Sequence, residues 1–485
     1  MVSESKPDYI NCLVKRQKRE LDQMTLIGLL AFILILGAAV VLHEFGHFIV
    51  AKLFKIRVET FSVGFGPRLF GRKWGQTDYR ISAIPLGGYV KLGGDESNAP
   101  LEGQGATDIP PGEMFNLRPR WQRILVALAG PIMNILTALA IPFGAAMIYG
   151  VPATPAPVVS SISRGGAAEI AGLKVGDRIV SFNGTEHPKW NTIRGDALLS
   201  PGQALPMIVE RNGERIPMTI TPTAVVEEGE TAGFLDFVPD YGDVPVVIRE
   251  VEPNSPASEV GLQVRDRIVA IGGQSVRSAE QVTQFIRDHK SQPITLSLDR
   301  NGRRMEVTAT PRKLVSDGRE RLGIRQDEEI PVQRASAGTA LSYAVESNLE
   351  ILRLTGKALG QVVTGQRSAR NTLSGPIGIY NAAAASVEQL GWDGFFKMLS
   401  FLSLNLGIFN LLPIPVLDGG AIFLLLLEGL LATVGLQLSL RVRERIQQVG
   451  FVVVILLMVF VISNDVIKLF SRPPDSKPAA SQPAR

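Results

Sequence analysis

The sequence predicts a polytopic α-helical membrane protein with two repeated α+β modules inserted between its second and third spans. Three observations predict it. Four stretches, roughly 25–47, 123–149, 397–427 and 446–464, supply the ~20 apolar helical residues a bilayer requires. A block of different composition, 151–315, repeats itself internally. The pentapeptide His43-Glu44-Phe45-Gly46-His47 closes the first apolar run, where ionisable side chains mark function.

Composition agrees. Of 485 residues, 45% are hydrophobic and only 20% charged, a balance that suits a membrane protein carrying soluble modules. A net charge of +4 is too weak for a nucleic-acid partner. The single cysteine, Cys12, excludes an internal disulfide and a cysteine-based zinc site.

Residues 1–23 form a polar extension with Lys6, Lys15, Arg16, Lys18 and Arg19. It has the charge of a signal-peptide n-region, but no small-residue cleavage site follows the apolar run, so the run is expected to be retained. Met24 opens directly into that run, which makes it the alternative start of translation.

The first span occupies 24–54. His43 and His47 stand four apart, share one helical face and can reach one metal ion. Glu44 beside them is placed to take a proton from a metal-bound water. An accidental H-E-x-x-H on a structural helix is the rival, because the motif is short. With only four histidines in the chain, a carboxylate is expected to complete any such site.

Residues 55–120 hold short β-like runs at 58–65, 79–84 and 88–92, punctuated by Gly87-Gly88 and Gly93-Gly94, and predict a small sheet within a loop. The second span is 121–150. Next come modules at 151–225 and 226–315. Ala171-Gly172-Leu173-Lys174-Val175-Gly176-Asp177-Arg178-Ile179-Val180 recurs, 89 residues on, as Val260-Gly261-Leu262-Gln263-Val264-Arg265-Asp266-Arg267-Ile268-Val269. Each copy follows a small-residue helix start and precedes a Gly turn. The pattern resembles the circularly permuted PDZ domain, which implies capture of an extended peptide by strand addition. The rival is a module that only gates or spaces the membrane part. Arg265 departs from Gly176, and a positive φ there would suit Gly better, so the turn is expected to differ locally.

Residues 316–395 form a linker containing an amphipathic helix over 340–363, broken at Leu373-Ser374-Gly375-Pro376-Ile377. The third span, 396–430, is interrupted by Pro413 and Pro415, and irregular backbone at membrane depth belongs where it lines a cavity. Asp418 in that apolar setting must be paired, protonated or metal-bound, and it supplies the oxygen a His/His pair lacks. Capping the helix after the Pro break is its other role, compatible with the first. A loop at 431–445, a fourth span at 446–470 and a Pro/Ser/Ala-rich tail at 471–485, expected to be disordered, complete the chain.

H-E-F-G-H in the first span, Asn410-Leu411-Leu412-Pro413-Ile414-Pro415-Val416-Leu417-Asp418-Gly419-Gly420 in the third and tandem PDZ-like modules between them together resemble the site-2 protease family. Gly64-Phe65-Gly66-Pro67, Pro85-Leu86-Gly87-Gly88-Tyr89-Val90-Lys91, Ala129-Gly130-Pro131-Ile132-Met133-Asn134 and Leu373-Ser374-Gly375-Pro376 extend the likeness over most of the chain from Met24 to about 470. The resemblance implies zinc on His43, His47 and Asp418, with Glu44 as general base. It implies that Asn410 holds substrate beside the metal, in a segment shaped by Pro413 and Pro415. It also implies a membrane-reentrant β-loop at 55–120 that clamps substrate. Single-span membrane proteins are the implied substrates, such as an anti-sigma factor already trimmed outside, or remnant signal peptides.

Lys and Arg set the orientation. Eleven lie between Lys52 and Arg123, and Arg441, Arg443 and Arg445 follow the third span. Both loops are read as cytoplasmic in an inner, plasma-type membrane, with the PDZ-like modules periplasmic and the zinc site toward the cytoplasm. The basic N-tail opposes this, which is a further argument for Met24. The rival classes are a membrane-anchored PDZ scaffold or chaperone with a silent metal site, and a zinc transporter.

Overall fold

The computed structural model describes residues 6–95, 109–227, 230–242, 244–276, 278–314, 320–436 and 439–471. The expected disordered tail lies almost wholly outside them. The chain divides into two compact units: one of Met1–Ala146, Ala337–Leu352 and Gln361–Pro474, the other chiefly of Met147–Ser336 with Arg353–Gly360.

The first unit opens with helix α1 (Lys6–Leu53), followed by strands β1 (Val58–Trp74) and β2 (Thr77–Leu92) and helix α2 (Arg120–Tyr149). The helix does not begin at Met24 but at Lys6. Strands β1 and β2 fold back on themselves. Residues 58–63 pair on one side with 88–92 and on the other with 78–81, while 68–74 pair with 77–82. The near part packs Val58, Val90 and Leu92 against Ala51 and Val126. The far part presents Leu69, Phe70, Trp74, Ile81 and Ile84 on its exterior.

Helix α2 contains Pro131 and Pro142. Pro142 has no N–H for the carbonyl four residues back, that of Ala138. Two side chains fill the vacancy: Asn348 Nδ2 donates to Ala138 O at 3.1 Å and Ser400 Oγ at 2.9 Å. A backbone acceptor that the helix cannot satisfy is thus satisfied by its neighbours, which apolar surroundings require.

The second unit carries two sheets with one topology. In the first module β3 (Ala156–Ile162), β4 (Arg178–Phe182), helix α3 (Trp190–Leu198), β5 (Leu205–Arg211), β6 (Glu214–Ile220) and β7 (Phe237–Asp240) give the order β7-β3-β4-β5-β6. In the second, β8 (Val246–Val251), β9 (Arg267–Ile271), helix α4 (Ala279–Asp288), β10 (Ile294–Arg300), β11 (Arg303–Ala309) and β12 (Ile324–Glu328) give β12-β8-β9-β10-β11. The sequence repeat is therefore a structural repeat. The first sheet takes in β7, beyond the 151–225 read from sequence. Each module has its own core, around Ile179, Phe182, Ile193 and Val209 in one and Ile248, Ile268, Leu296 and Leu298 in the other.

One ion pair is repeated too. Arg211 clamps Asp177 through Nε at 2.7 Å and Nη2 at 2.7 Å; Arg300 clamps Asp266 at 2.6 and 2.7 Å. The spare Nη2 contact goes to the carbonyl of Gly172 or Gly261. Arg265 does take a positive φ of 75°, where Gly176 takes 94°. The turn that was expected to differ is kept, with an arginine held in a glycine conformation.

The rest of the first unit comprises α5 (Ala337–Val363), of which 353–360 belong to the second unit, α6 (Pro376–Leu390), α7 (Trp392–Asn410), α8 (Asp418–Thr433) and α9 (Leu440–Ser471). The segment expected as the third span is two helices separated by 411–417. Buried Asp465 of α9 accepts the backbone N–H groups of Gly375, Ile377 and Gly378, capping α6. A Cβ on Gly375 would sit 2.6 Å from Asp465 Oδ2, which accounts for the Ser-Gly-Pro break. Among the described residues, three helices are long and apolar enough to cross a membrane: Leu26–Leu53, Arg120–Tyr149 and Arg445–Lys468. The last leaves Phe451, Val452, Val453, Leu456 and Leu457 exposed, a surface suited to lipid rather than water.

Candidate metal centre

Helix α1 delivers His43 and His47 one turn apart, with rings edge to face at 4.9 Å. Helix α8 delivers Asp418 from its first turn. His43 Nε2 lies 3.0 Å from Asp418 Oδ2, His47 Nε2 lies 3.5 Å from Asp418 Oδ1, and the two Nε2 atoms are 3.3 Å apart. A tetrahedral ion with bonds of ~2.0–2.1 Å holds its ligands ~3.3 Å from one another. The three separations fit that edge length, and the donor set leaves a fourth position open.

Glycines let the backbones close around this point. A Cβ on Gly130 of α2 would stand 2.3 Å from His47 Nε2, and one on Gly46 would stand 2.2 Å from the carbonyl of Ala129. Gly419 and Gly420 face the carbonyls of Leu411, Leu412 and Ile414 at 2.2–2.3 Å in the same sense, so α8 starts hard against the loop that precedes it. In that loop Val416 has a φ of 85°, strain for a β-branched residue immediately before the turn that presents Asp418.

Helix α2 backs both imidazoles. His47 Nδ1 donates to the carbonyl of Val126 at 2.7 Å, which directs its Nε2 lone pair inward. The carboxamide of Asn134, wholly buried, lies 3.2 Å from His43 Nδ1. Glu44 lies beside both histidines and Asp418 and accepts the backbone N–H of Val90 on β2. Asn410 ends α7, half-buried; Pro413 is exposed, and Pro415 packs against Gly450 of α9. The structure thus joins His43, Glu44, His47 and Asp418, whereas no hydrogen bond or ion pair among the described residues ties Asn410, Pro413 or Pro415 to them.

Sequence reasoning assigned no role to Val126, Gly130 or Asn134. The signal was an amide inside an apolar helix, four residues after a glycine. The Val126 carbonyl carries no sequence signal.

The description "Peptidase family M50" matches residues 31–457. A Yersinia pestis protein, "Protease RseP", is 34% identical over 465 residues, covering 91% of this chain and 99% of its own length. The Escherichia coli (strain K12) "Regulator of sigma-E protease RseP" is 32% identical over 469 residues, covering 91% and 98%. A "Putative zinc metalloprotease" of Vibrio cholerae is 31% identical over 466 residues, with the same coverage. With most of its length matched in each comparison and a zinc-shaped donor set at its centre, the chain belongs to peptidase family M50, the zinc metalloproteases of site-2 type.

Proposed function

We propose that this protease cuts within the membrane, hydrolysing peptide bonds in the transmembrane segments of single-span proteins. The observation that carries the reading is the location of the donor set: two ligands lie on a helix long and apolar enough to span a bilayer, and the third follows a break between apolar helices.

His43, His47 and Asp418 would hold the zinc. When bound, the ion lowers the pKa of a coordinated water to ~7 and polarises the scissile carbonyl. Glu44 is spare as a ligand, because the shared face of α1 is taken by the histidines. It accepts the proton as the nucleophile forms and returns it to the leaving nitrogen. Asn410 helps hold the substrate beside the metal. Pro413 and Pro415 cannot donate to a helix, so 411–417 stays open beside Asp418.

A helical substrate hides its carbonyls in its own hydrogen bonds and must be drawn out. The β1–β2 segment, with its exposed apolar far part, is read as a reentrant loop that pairs with the extended strand. The broken pair α7–α8 serves as the third of four spans. The basic loops lie in the cytoplasm with the zinc site toward them, and the repeated modules lie in the periplasm of an inner-membrane protein. There they select substrates by size, admitting those whose outer domain has been removed. An anti-sigma factor in envelope stress signalling fits this description, and remnant signal peptides are a second substrate class.

The test is purified full-length protein in proteoliposomes with a single-span substrate lacking its outer domain. Cleavage inside the apolar segment, stopped by a chelator and restored by zinc, is the expected result. Cleavage confined to soluble segments would refute the reading.

A further inference from the structure

We propose that Asn134 sets the tautomer of His43 by turning its carboxamide, so that its oxygen accepts the Nδ1 proton whenever His43 binds metal. The proposal rests on the reading of His43, His47 and Asp418 as the zinc site.

The two histidines are backed differently. His47 Nδ1 faces a backbone carbonyl, that of Val126, which can only accept. Its proton is therefore fixed on Nδ1, and the lone pair lies on Nε2, 3.3 Å from His43 Nε2. His43 faces a group with two faces. As oriented here, Asn134 Nδ2 lies 3.2 Å from His43 Nδ1, and Asn134 Oδ1 is buried without a hydrogen-bond partner among the described residues. An amide N–H pointing at Nδ1 needs a lone pair there, so the ring proton sits on Nε2. From Nε2 it reaches Asp418 Oδ2 at 3.0 Å. In this orientation Asn134 donates to His43, and His43 donates to Asp418.

Metal binding requires the opposite tautomer, with the lone pair on Nε2 and the proton on Nδ1. That proton then needs an acceptor. A half-turn of Asn134 about χ2 exchanges oxygen for nitrogen with almost no change of shape and brings the partnerless oxygen to it. The orientation of one α2 side chain thus selects the tautomer of His43. Asn134 is a positioning residue, acting on the ligand rather than on substrate.

The test measures zinc affinity of the full-length protein in detergent by chelator competition, for wild type, Asn134→Asp and Asn134→Leu. Asp can only accept and should match or exceed wild-type affinity. Leu can do neither and should bind zinc ~10- to 100-fold more weakly. A residue that merely fills space would lose affinity in both. Equal affinity of Asn134→Leu and wild type overturns the proposal, as does a loss in Asn134→Asp as large as in Asn134→Leu. Should the Leu variant not fold, Asn134→Asp decides alone: affinity at or above wild type supports the proposal, and a loss of ~10-fold or more overturns it. Nitrogen NMR of the four histidines gives a second readout. The His43 proton should move from Nε2 to Nδ1 when wild type takes up zinc, and should rest on Nδ1 in metal-free Asn134→Asp. A wild-type protein that binds no zinc would instead overturn the metal site itself.

Discussion

Gly130 stands where any side chain would strike His47. The 2.3 Å between a Cβ at position 130 and His47 Nε2 leaves no room even for a methyl group, and the obstacle is the atom proposed to bind zinc. Gly130→Ala should therefore displace His47 and weaken zinc binding by ~10- to 100-fold, the scale set by disturbed ligand surroundings. Metal content after purification checks it, beside membrane insertion, which should be unchanged. Zinc content equal to wild type would show that α1 and α2 can part without cost.

Asp177 and Arg211 make a pH-dependent clasp in the first module. Burial of Asp177 acts to raise its pKa, but the Arg211 hydrogen bonds, the backbone N–H of Lys174 and the charges of both residues together outweigh it and hold the carboxyl below its ordinary value of 3.8. A depressed folded-state pKa stabilises at pH above the unfolded value, and that contribution is lost as pH falls through the folded value. Arg211→Gln should therefore speed amide exchange in residues 156–240 of the whole protein by ~10-fold or more at neutral pH. The difference from wild type should shrink below about pH 4, as Asp177 protonates. A pH-independent difference would contradict the account.

Arg265 holds a left-handed conformation that Gly176 holds without strain in the other module. The residue is exposed, so its side chain gives up little packing when removed. Arg265→Gly should stabilise the second module by about 0.5–1 kcal/mol, strain relief less the added freedom of the unfolded chain. Exchange protection of β8 to β12 reads this directly; a loss of protection would mean the Arg265 side chain contributes more than its exposure suggests.

The carbonyl that Pro142 frees has two donors, Asn348 and Ser400. Removing one should cost about 0.6 kcal/mol, the average for a polar contact between membrane helices. Removing both, in Asn348→Leu with Ser400→Ala, should cost more than the sum, because Ala138 O is then left without a partner. Reversible unfolding in mixed micelles measures the cycle, and additive losses would argue that water reaches this carbonyl.

Much of this was legible in the sequence, for physical reasons. His43, His47 and Asp418 stand out because charged or titratable groups are rare in apolar runs, and Pro413 and Pro415 announce the break between α7 and α8. The repeat of Asp177 and Asp266 announced a repeated module. What stayed hidden depends on backbone. The Val126 carbonyl has no letter of its own, and the doubled pairing of residues 58–63 arises from a strand that turns back on itself. Strand β7 lies outside the first module as read from sequence because its partner, β3, is some eighty residues earlier. The arginine at 265 shows the limit of a glycine rule: the fold enforces the conformation and the sequence tolerates the strain.

The central claim is that Glu44 moves protons at a zinc site that the histidines and Asp418 build without it. The most direct measurement is zinc content beside turnover of a transmembrane substrate for Glu44→Gln. The account predicts full zinc, intact substrate binding and cleavage lowered by ~10²–10⁴-fold, the usual contribution of a general base. His43→Ala, His47→Ala and Asp418→Ala should lose the metal instead. Proteolysis at wild-type rate by Glu44→Gln would contradict the mechanism, and zinc-free protein that remains active would contradict the metal centre.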